Sequence, residues 1–316
     1  MDNAPPLFAL RNSPLTPDQL VEAASSTDLE VDVLSAGGAS SRLTCVRSAQ
    51  GWGIDITTVN AHVRAVGALD PRCVALLVVE RPGDSNICGA FLDRAMALVM
   101  PVGTEIAAGI RPGLAYTTVV VPAAHWHHGL ALAGAAVPLA PVAVELSPEA
   151  AWNLAREGRH LAARLADDER SCSGGVPGPI LDYAASFAEA CGLVGNGRLD
   201  HDRNTRLRQA WAAHDYLRLH LAEDVSVGEL CRRLAISRRQ LEYAFRTVFD
   251  SSPRDFLQSL RLNESRRRLM KARDSGQTVT QVAMDVGITH LGRYAACYRR
   301  LFGETPSQTL QRGGRA

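Results

Sequence analysis

The pattern of apolar and polar positions divides the chain into a strand-rich front part and a helical back part. In the front part, short runs rich in Val, Ile or Thr are bounded by Gly, Pro or Asp, which is typical of β-strands. The predicted strands are residues 42–47, 52–59, 63–69, 73–80, 95–100 and 114–121. Because little helix separates these runs, they indicate a sandwich or a small barrel. Residues 1–20 are rich in Pro and are expected to be loosely ordered.

Helical patterns follow from residue 147 onward. Ser147 is suited to cap a helix that has Pro148 at its first position. The predicted helices run from 148 to about 166, from 179 or 180 to 193, and from 206 to 221. Residues 194–204 combine Gly with mixed charge, which suits a linker between two domains.

A first pair of short helices is predicted over residues 226–249. Ser226 can cap the first helix, with Glu229 placed for a capping box, and Ser237 can cap the second helix after a break at 235–237. The second helix has an apolar inner stripe (Leu241, Phe245, Val248, Phe249) and a charged outer side (Arg238, Arg239, Glu242, Tyr243, Arg246). Such a pair has the shape that enters a DNA major groove, but an ordinary helical hairpin with a solvated face fits equally.

A second pair over residues 279–302 repeats the first after 52–53 residues, because Ile236 corresponds to Ile288 and Phe249 to Phe302. Thr278 or Thr280 can open its first helix, and Gly287 supplies the turn. The inward residues are Val282, Ala283, Val286, Tyr294, Tyr298, Leu301 and Phe302, and the outward ones are Arg293, Arg299 and Arg300. The repeat favours the DNA-reading interpretation over the plain hairpin.

A helix over residues 253–271 is predicted to connect the two pairs. Its apolar side consists of Phe256, Leu257, Leu260 and Leu269, and its cationic side of Arg266, Arg267 and Arg268. Two readers on one stiff helix could sit in successive major grooves, about 34 Å apart on one face of the duplex.

These residues resemble the AraC/XylS-type transcription regulators over roughly 100 C-terminal residues. The most specific part is Gly287-Ile288 followed by Phe302-Gly303-Glu304-Thr305-Pro306-Ser307, which is similar to the family signature G-F…F-G-x-T-P-S with Ile in place of Phe. The stretches 289–293 and 305–310 also resemble ethanolamine-utilisation regulators. The resemblance implies a cupin-like sensor joined to the DNA-binding half, with intervening helices that either build a dimer interface or close the open side of the sheet.

The resemblance also implies where base-reading residues lie, namely around the start of each second helix. The expected base contacts are Arg238, Arg239, Glu242, Tyr243, Arg246 and Leu291, and the expected phosphate contacts are Ser237, His290, Arg293, Arg299 and Arg300. Arg can donate two hydrogen bonds to guanine and Glu can accept one from cytosine, whereas Leu291 can only touch a thymine methyl. The first pair is therefore expected to supply most of the sequence discrimination.

The net charge of +1 conceals an uneven distribution. From Thr205 onward there are 20 Arg/Lys and 11 Asp/Glu residues, a net +9, which leaves 14 basic and 22 acidic residues, a net −8, in the rest. This asymmetry indicates a polyanion-binding half joined to a half that does not bind polyanions.

Other candidate chemistry is sparse. On an extended stretch His125 and His127 of the His125-Trp126-His127-His128 cluster would face one side, which a metal could use. The alternatives are a polar turn and an effector-pocket wall, and no metal site is predicted because the next acidic residue is Glu145. The seven Cys residues show no C-x-x-C spacing, and Cys231 and Cys297 are expected to be buried. Most polar residues near the strands (Asp55, His62, Arg64, Arg81, Asp84, Arg111) are expected at solvated edges and turns.

The sequence thus predicts an α+β multidomain regulator and no enzyme. The expected organisation is an N-terminal cupin-like β sandwich or barrel with following helices (1–193), a linker (194–204) and an all-α domain with two helix-turn-helix units (205–316). Expected partners are double-stranded DNA and a small-molecule effector, with a second copy and RNA polymerase as further candidates, and no cofactor. The alternatives are a metal-dependent cupin enzyme with a DNA-binding tail and a constitutive dimeric DNA-binding protein. Without a signal peptide or a run of about 20 apolar residues, a cytoplasmic location is expected.

Overall fold

The computed structural model describes residues 8–15, 19, 29–35, 41–48, 50–132, 138–167, 176–193, 201–272 and 276–312. The chain forms two compact units. The first consists of Met1–Val31, Ser40–Asn60 and Ala65–Leu199, and the second of Asp32–Ala39, Ala61–Arg64 and Asp200–Ala316.

Two β-sheets account for the strands of the described residues. In chain order the strands are β1 (Phe8–Leu15), β2 (Glu30–Val33), β3 (Ser41–Arg47), β4 (Gly53–Thr58), β5 (Val63–Ala68), β6 (Cys73–Arg81), β7 (Asn86–Ile87), β8 (Ala90–Phe91), β9 (Met96–Met100), β10 (Glu105–Ile110), β11 (Ala115–Pro122) and β12 (Val142–Glu145). The larger, antiparallel sheet has the order β1-β3-β4-β11-β6-β9-β12, and the smaller sheet β2-β5-β10-β7-β8.

Helices cover one face of the larger sheet. They are α1 (Ala123–Leu132), α2 (Pro148–Asp167) and α3 (Gly178–Ala190). Alternate strand residues on this face form one apolar core with Trp126, Leu154 and Phe187 of these helices. A Cβ at Gly158 would lie only 2.7 Å from Thr117 Cγ2 of β11. The close approach of α2 to the sheet at this point therefore depends on a residue without a side chain.

The opposite face of the same sheet carries polar groups among apolar ones. Arg47 Nη2 donates to Asp55 Oδ2 at 2.6 Å, and Arg47 Nε to Oδ1 at 3.1 Å. The register places Thr57 beside Tyr116 on the neighbouring strand. On the side of the smaller sheet, Cys88 lies 3.8 Å (Sγ to Sδ) from Met100, which belongs to this face.

The described residues of the second unit from 201 to 272 and from 276 to 312 are helical apart from short connections. Its helices are α4 (His201–Leu219), α5 (Val227–Leu234), α6 (Arg238–Phe249), α7 (Pro253–Ala272), α8 (Val279–Asp285), α9 (Leu291–Phe302) and α10 (Pro306–Arg312). α7 joins the α5–α6 pair to the α8–α9 pair. Residues of the short segment 32–35 contact α7, since the Asn263 side chain bonds both the backbone N–H and the C=O of Val33 at 2.9 Å.

The six predicted strands correspond to β3, β4, β5, β6, β9 and β11, but the remaining strands were not predicted. The expectation of a loosely ordered start was wrong for residues 8–15, because β1 is an edge strand and an edge position tolerates Pro14. The segments of β10 (EIAAGI) and β12 (VAVE) are short and apolar, without a clear alternation that favours strand over helix. At the linker, α4 already begins at His201, and residues 194–200 lie outside the described residues.

The histidine cluster lies on a helix, so the expectation of an extended stretch or a polar turn was wrong. Trp126 and Leu130, one turn apart on α1, are buried in the core, which explains the helical conformation. Successive residues of a helix are about 100° apart, so His125 and His127 lie on different sides of α1. No metal-binding group of three His, Cys, Asp or Glu occurs among the described residues.

The burial of several cysteine and polar side chains differs from the expectation. Cys231 and Cys297 are half-buried rather than buried. Asp55, His62 and Arg64 are not at solvated edges: Asp55 pairs with Arg47, His62 is buried, and Arg64 is fully buried beside Asp32. Arg81 is exposed, and Arg111 forms a surface pair with Asp84 at 3.3 Å, as expected for this group. None of the described helices is long and apolar enough to cross a membrane.

Candidate nucleic-acid interface

The α5–α6 pair is fixed at both of its helix starts by side-chain caps. Ser226 accepts a hydrogen bond from Glu229 N–H, and Ser237 forms a complete capping box with Gln240. Between the helices, Ala235 adopts a left-handed conformation with φ of 51°, which closes the turn. The side chain of Glu229 does not complete the predicted box, because it accepts a hydrogen bond from the Tyr216 hydroxyl at 2.8 Å instead.

An aromatic cluster anchors the inner side of α6. Phe249 stacks on Phe256 of α7 with ring centroids 4.4 Å apart, and Phe245 meets both rings edge-on. Trp211 and His214 of α4 pack against Phe249 from the other side. The inner residues predicted for α6 (Leu241, Phe245, Val248, Phe249) are all at most 1% exposed, so its orientation is fixed.

The outer side of α6 is exposed along its whole length, with the residues predicted for it: Arg238, Arg239, Glu242, Tyr243 and Arg246. Arg238 Nε donates to Glu242 Oε1 at 2.9 Å, a pair one helical turn apart. The Arg206 guanidinium lies 4.7 Å above the Tyr243 ring. Arg239 has no ion-pair partner among the described residues, so its guanidinium is available to a ligand.

The α8–α9 pair has an asymmetric arrangement of caps. Of the two predicted caps for α8 the structure has Thr278, which forms a capping box with Gln281. His290 precedes α9 and makes no side-chain cap. The inner side is polar at two points, where the Tyr294 hydroxyl bonds Ser265 and the Tyr298 hydroxyl donates to Thr309 at 2.8 Å. Burial raises the pKa of both tyrosines, so both stay neutral.

The outer side of α9 exposes His290, Gly292, Arg293, Arg299 and Arg300. Leu291 is only partly exposed and packs against the apolar core of the pair. Cationic side chains therefore lie on the exposed sides of both α6 and α9, and α6 also exposes Glu242 and Tyr243.

The arginines predicted for the cationic side of α7 are engaged in ion pairs with acidic residues. Arg266 pairs with Glu304 at 3.2 Å and lies over the Phe302 ring. Arg267 pairs with Asp32 at 2.8 Å, and Arg267 and Arg268 both pair with Glu264. The predicted apolar side (Phe256, Leu257, Leu260, Leu269) is buried as expected. These arginines therefore hold the unit together.

In the described part of the first unit, a polar cluster that the sequence did not predict lies on the sheet face opposite the helices: Arg47, Asp55, Thr57 and Tyr116. Burial raises the pKa of Asp55, and the neighbouring Arg47 opposes this effect. Burial likewise raises the pKa of Tyr116 to about 12, so its hydroxyl stays protonated. In the sequence, the sign of this cluster is an arginine at the end of one predicted strand and an aspartate within the next. These two charges can be recognised as partners only when the register of the strands is known.

Comparison with known proteins assigns the C-terminal region. Residues 230–312 match a family model described as a helix-turn-helix domain. The thc operon regulatory protein of Rhodococcus erythropolis is 31% identical over 99 residues, which cover 31% of this chain and 30% of that protein. A XylDLEGF operon transcriptional activator of Pseudomonas putida is 32% identical over 97 residues, which cover 31% and 29%. The match thus spans less than a third of each of these relatives.

Two solved structures are similar to parts of this chain. The structure of an AraC family transcriptional regulator from Rhodopseudomonas palustris has 31% sequence identity and a TM-score of 0.31, covering 34% of this chain and 97% of that chain. That of the AraC-like transcriptional activator CuxR has 16% identity and a TM-score of 0.37, covering 89% and 100%. The sequence similarity in the C-terminal region confirms the resemblance given by the signature around Gly287 and Phe302. The C-terminal region of the chain, residues 230–312, therefore belongs to the AraC/XylS type of helix-turn-helix domain.

Proposed function

We propose that this protein is a sequence-specific DNA-binding transcription regulator that responds to a small-molecule effector. The observation that carries the proposal is the exposed cationic side of α6, which includes Arg239 and lies on a helix whose inner side is fully buried. A rigid helix with such an outer side can enter a major groove without a cost for reorganisation. The excess of positive charge from Thr205 onward would supply the non-specific part of the affinity.

In this proposal the segments 226–249 and 279–302 act as two helix-turn-helix units. The proposed base contacts are Arg238, Arg239, Glu242, Tyr243, Arg246 and Leu291, and the proposed phosphate contacts are Ser237, His290, Arg293, Arg299 and Arg300. The Arg238–Glu242 pair holds a donor and an acceptor side by side, an arrangement suited to the edges of adjacent bases. Leu291 has little free surface, which supports giving most of the discrimination to the first unit.

The division proposed for the chain is a sensing and dimerisation domain (1–193), a linker (194–204) and a DNA-binding domain (205–316).

We assign the sensor a cupin-like fold, and the effector a place beside Arg47, Asp55, Thr57 and Tyr116. The cluster places an ion pair and two hydroxyls among apolar residues of one sheet face, and a few polar groups on a largely apolar wall are typical of a small-molecule site. The effector must favour one state of the protein, since equal affinity for both states would change nothing. A second copy and RNA polymerase are proposed as further partners.

The proposal is tested by binding the full chain to duplexes of random sequence at about 50 mM salt, followed by selection of the sequences that bind best. We expect binding that weakens steeply with salt. The selected sequences should contain one strongly constrained tract and, about one helical turn away, a second tract that is constrained more weakly. Absence of binding to any duplex at low salt would contradict the proposal. A single constrained tract would contradict the role of the second unit.

The alternative of a metal-dependent enzyme is no longer supported by the residue pattern that suggested it. It rested on His125 and His127 facing one side of an extended segment, and both residues lie instead on the helix α1. The constitutive dimer stays an alternative that the effector measurements proposed below can favour.

A further inference from the structure

A groove of about 580 Å³ lies within the second unit, between the α5–α6 pair and the α8–α9 pair. α7 contributes Arg254, Gln258 and Arg261, which are spaced four and three residues apart and therefore share one side of that helix. The segment that starts α9 contributes His290 and Arg293. Buried leucines such as Leu217, Leu230 and Leu257 supply the apolar part of the lining.

The groove carries a marked excess of positive charge. Its lining includes three Arg residues and one His, against Asp224 as the single acidic residue. Arg261 is already engaged, because its Nε donates to Leu221 O at 2.9 Å and its Nη2 to Glu223 O at 2.7 Å. Arg254 and Arg293 are exposed and have no ion-pair partner among the described residues. Two guanidinium groups are therefore free to bind an anion here.

The position of the groove identifies the kind of anion. His290 and Arg293 lie at the start of α9, the helix proposed to enter the second major groove. A duplex that receives α6 in one major groove and α9 in the next must pass its backbone across the space between the two pairs. That backbone carries one negative charge per 1.7 Å or so of duplex axis, so a phosphate is the anion nearest to this groove.

We propose that the groove binds a DNA backbone phosphate between the two major-groove sites, with Arg254 and Arg293 as its cations and Gln258 as a hydrogen-bond donor. This inference rests on the proposed function and adds Arg254 and Gln258 to the interface. Arg261 fixes the 221–223 loop at the edge of the groove and does not bind the phosphate itself. The contact fixes the register of the two readers on the duplex and reads no base.

The test compares the full chain with its Arg254→Ala and Arg254→Lys variants, using a duplex of random sequence over a range of salt. Removing one phosphate contact lowers the slope of log K against log salt by about 0.9, which reduces the weakening between 50 and 200 mM about 3-fold. Arg254→Lys keeps the charge and is expected to retain the slope. Arg312→Ala is the matched control, because Arg312 is an exposed arginine of the same unit that pairs with Glu304 and does not line the groove.

A second measurement locates the contact on the DNA. On a duplex selected for tight binding, ethylation of individual phosphates should interfere with the wild-type chain between the two protected major-groove tracts. Arg254→Ala should lose that central interference and keep the rest.

An unchanged salt slope in Arg254→Ala, or a slope that falls equally in Arg312→Ala, would overturn the inference. So would a loss of affinity confined to one DNA sequence, since that identifies a base contact. If the wild-type chain bound no duplex at all, the proposed function itself would fail, which is a different result from an unaltered slope.

Discussion

Gly287 lies in the turn between α8 and α9 with φ of +77°, in the left-handed region. A Cβ at this position would lie 2.8 Å from Ala222 O, a backbone atom that cannot rotate away. Gly303 has nearly the same φ of +76° but no atom within 4 Å of its Cβ position. Comparing alanine substitutions at the two glycines therefore separates the conformational cost of a side chain from its steric cost.

We predict that Gly287→Ala lowers the free energy of unfolding by about 2–5 kcal/mol, the sum of the left-handed cost and the overpacking. Gly303→Ala should lose only about 1–2 kcal/mol, the conformational part. Urea unfolding of both variants measures the difference. Equal losses would show that the loop at Ala222 adjusts freely.

At the proposed interface, Arg239 and Arg299 are both exposed arginines, and the proposal gives them different roles. We predict that Arg239→Ala costs about 1–3 kcal/mol on the preferred sequence and relaxes the preference at one base pair. Arg299→Ala should weaken binding to all sequences alike, because a phosphate contact reads no base. Competition between the selected duplex and single-base variants checks both expectations. An equal loss on every sequence for Arg239→Ala refutes its base-reading role.

At the scale of elements, the start of α8 is determined by one of two neighbouring threonines. Thr278 Oγ1 accepts from Gln281 N–H, and Gln281 Oε1 accepts in turn from Thr278 N–H at 2.8 Å. Thr280 is exposed two positions further on and has no capping role. Thr278→Ala is expected to lower the free energy of unfolding by about 1 kcal/mol, since a cap is lost. Thr280→Ala, measured by the same urea unfolding, should change it by less than about 0.5 kcal/mol.

The aromatic cluster that joins α4, α6 and α7 contains a buried histidine. His214 is 1% exposed, its Nδ1 lies 2.7 Å from Asp215 Oδ1, and its Nε2 has no partner in the described part of the chain. Burial lowers the pKa of His214 from its ordinary 6.5, with Arg64 acting in the same direction and Asp215 and Asp32 opposing it. The His214 imidazole is therefore protonated at a lower pH in the folded state than in the unfolded state.

This sign gives a prediction for stability against pH. The unfolded chain gains the proton below about pH 6.5 while the folded chain resists it, so the free energy of unfolding should fall between pH 7 and pH 5. His214→Gln removes this linkage and should show a smaller fall over the same range. Urea unfolding at several pH values compares the two proteins, and parallel pH profiles would contradict the assignment.

At the scale of the whole molecule, the proposal requires that a ligand of the first unit alter DNA binding by the second. We predict that a metabolite which changes the duplex affinity of the wild-type chain loses its effect in Asp55→Asn, because the ion pair with Arg47 is broken. Asp84→Asn is the matched control, since Asp84 forms an exposed pair with Arg111. Thermal shift and duplex affinity are measured together, so that a variant that fails to fold is recognised. If Asp55→Asn kept the response, the effector would have to bind at another place. If no metabolite altered the duplex affinity of the wild-type chain, the constitutive alternative would be favoured.

The sequence by itself determined the helical half in detail. Caps, inner stripes and turns between residues 226 and 302 were predictable because helix starts, helix faces and left-handed turns depend on residues within a few positions of each other. The two sheets were predicted only in part, and strands such as β10 and β12 were missed because they gain their stability from partners outside their own segment.

Only the tertiary structure decided what depends on long-range pairing. It gave the histidine cluster a helical conformation through the burial of Trp126, and it paired Arg267 with Asp32, which is 235 residues away in sequence. It also gathered Arg254 and Arg293 along one groove. A charged side chain shows from its type that it needs a partner, but whether that partner is solvent, a buried carboxylate or a ligand is set by the packing around it.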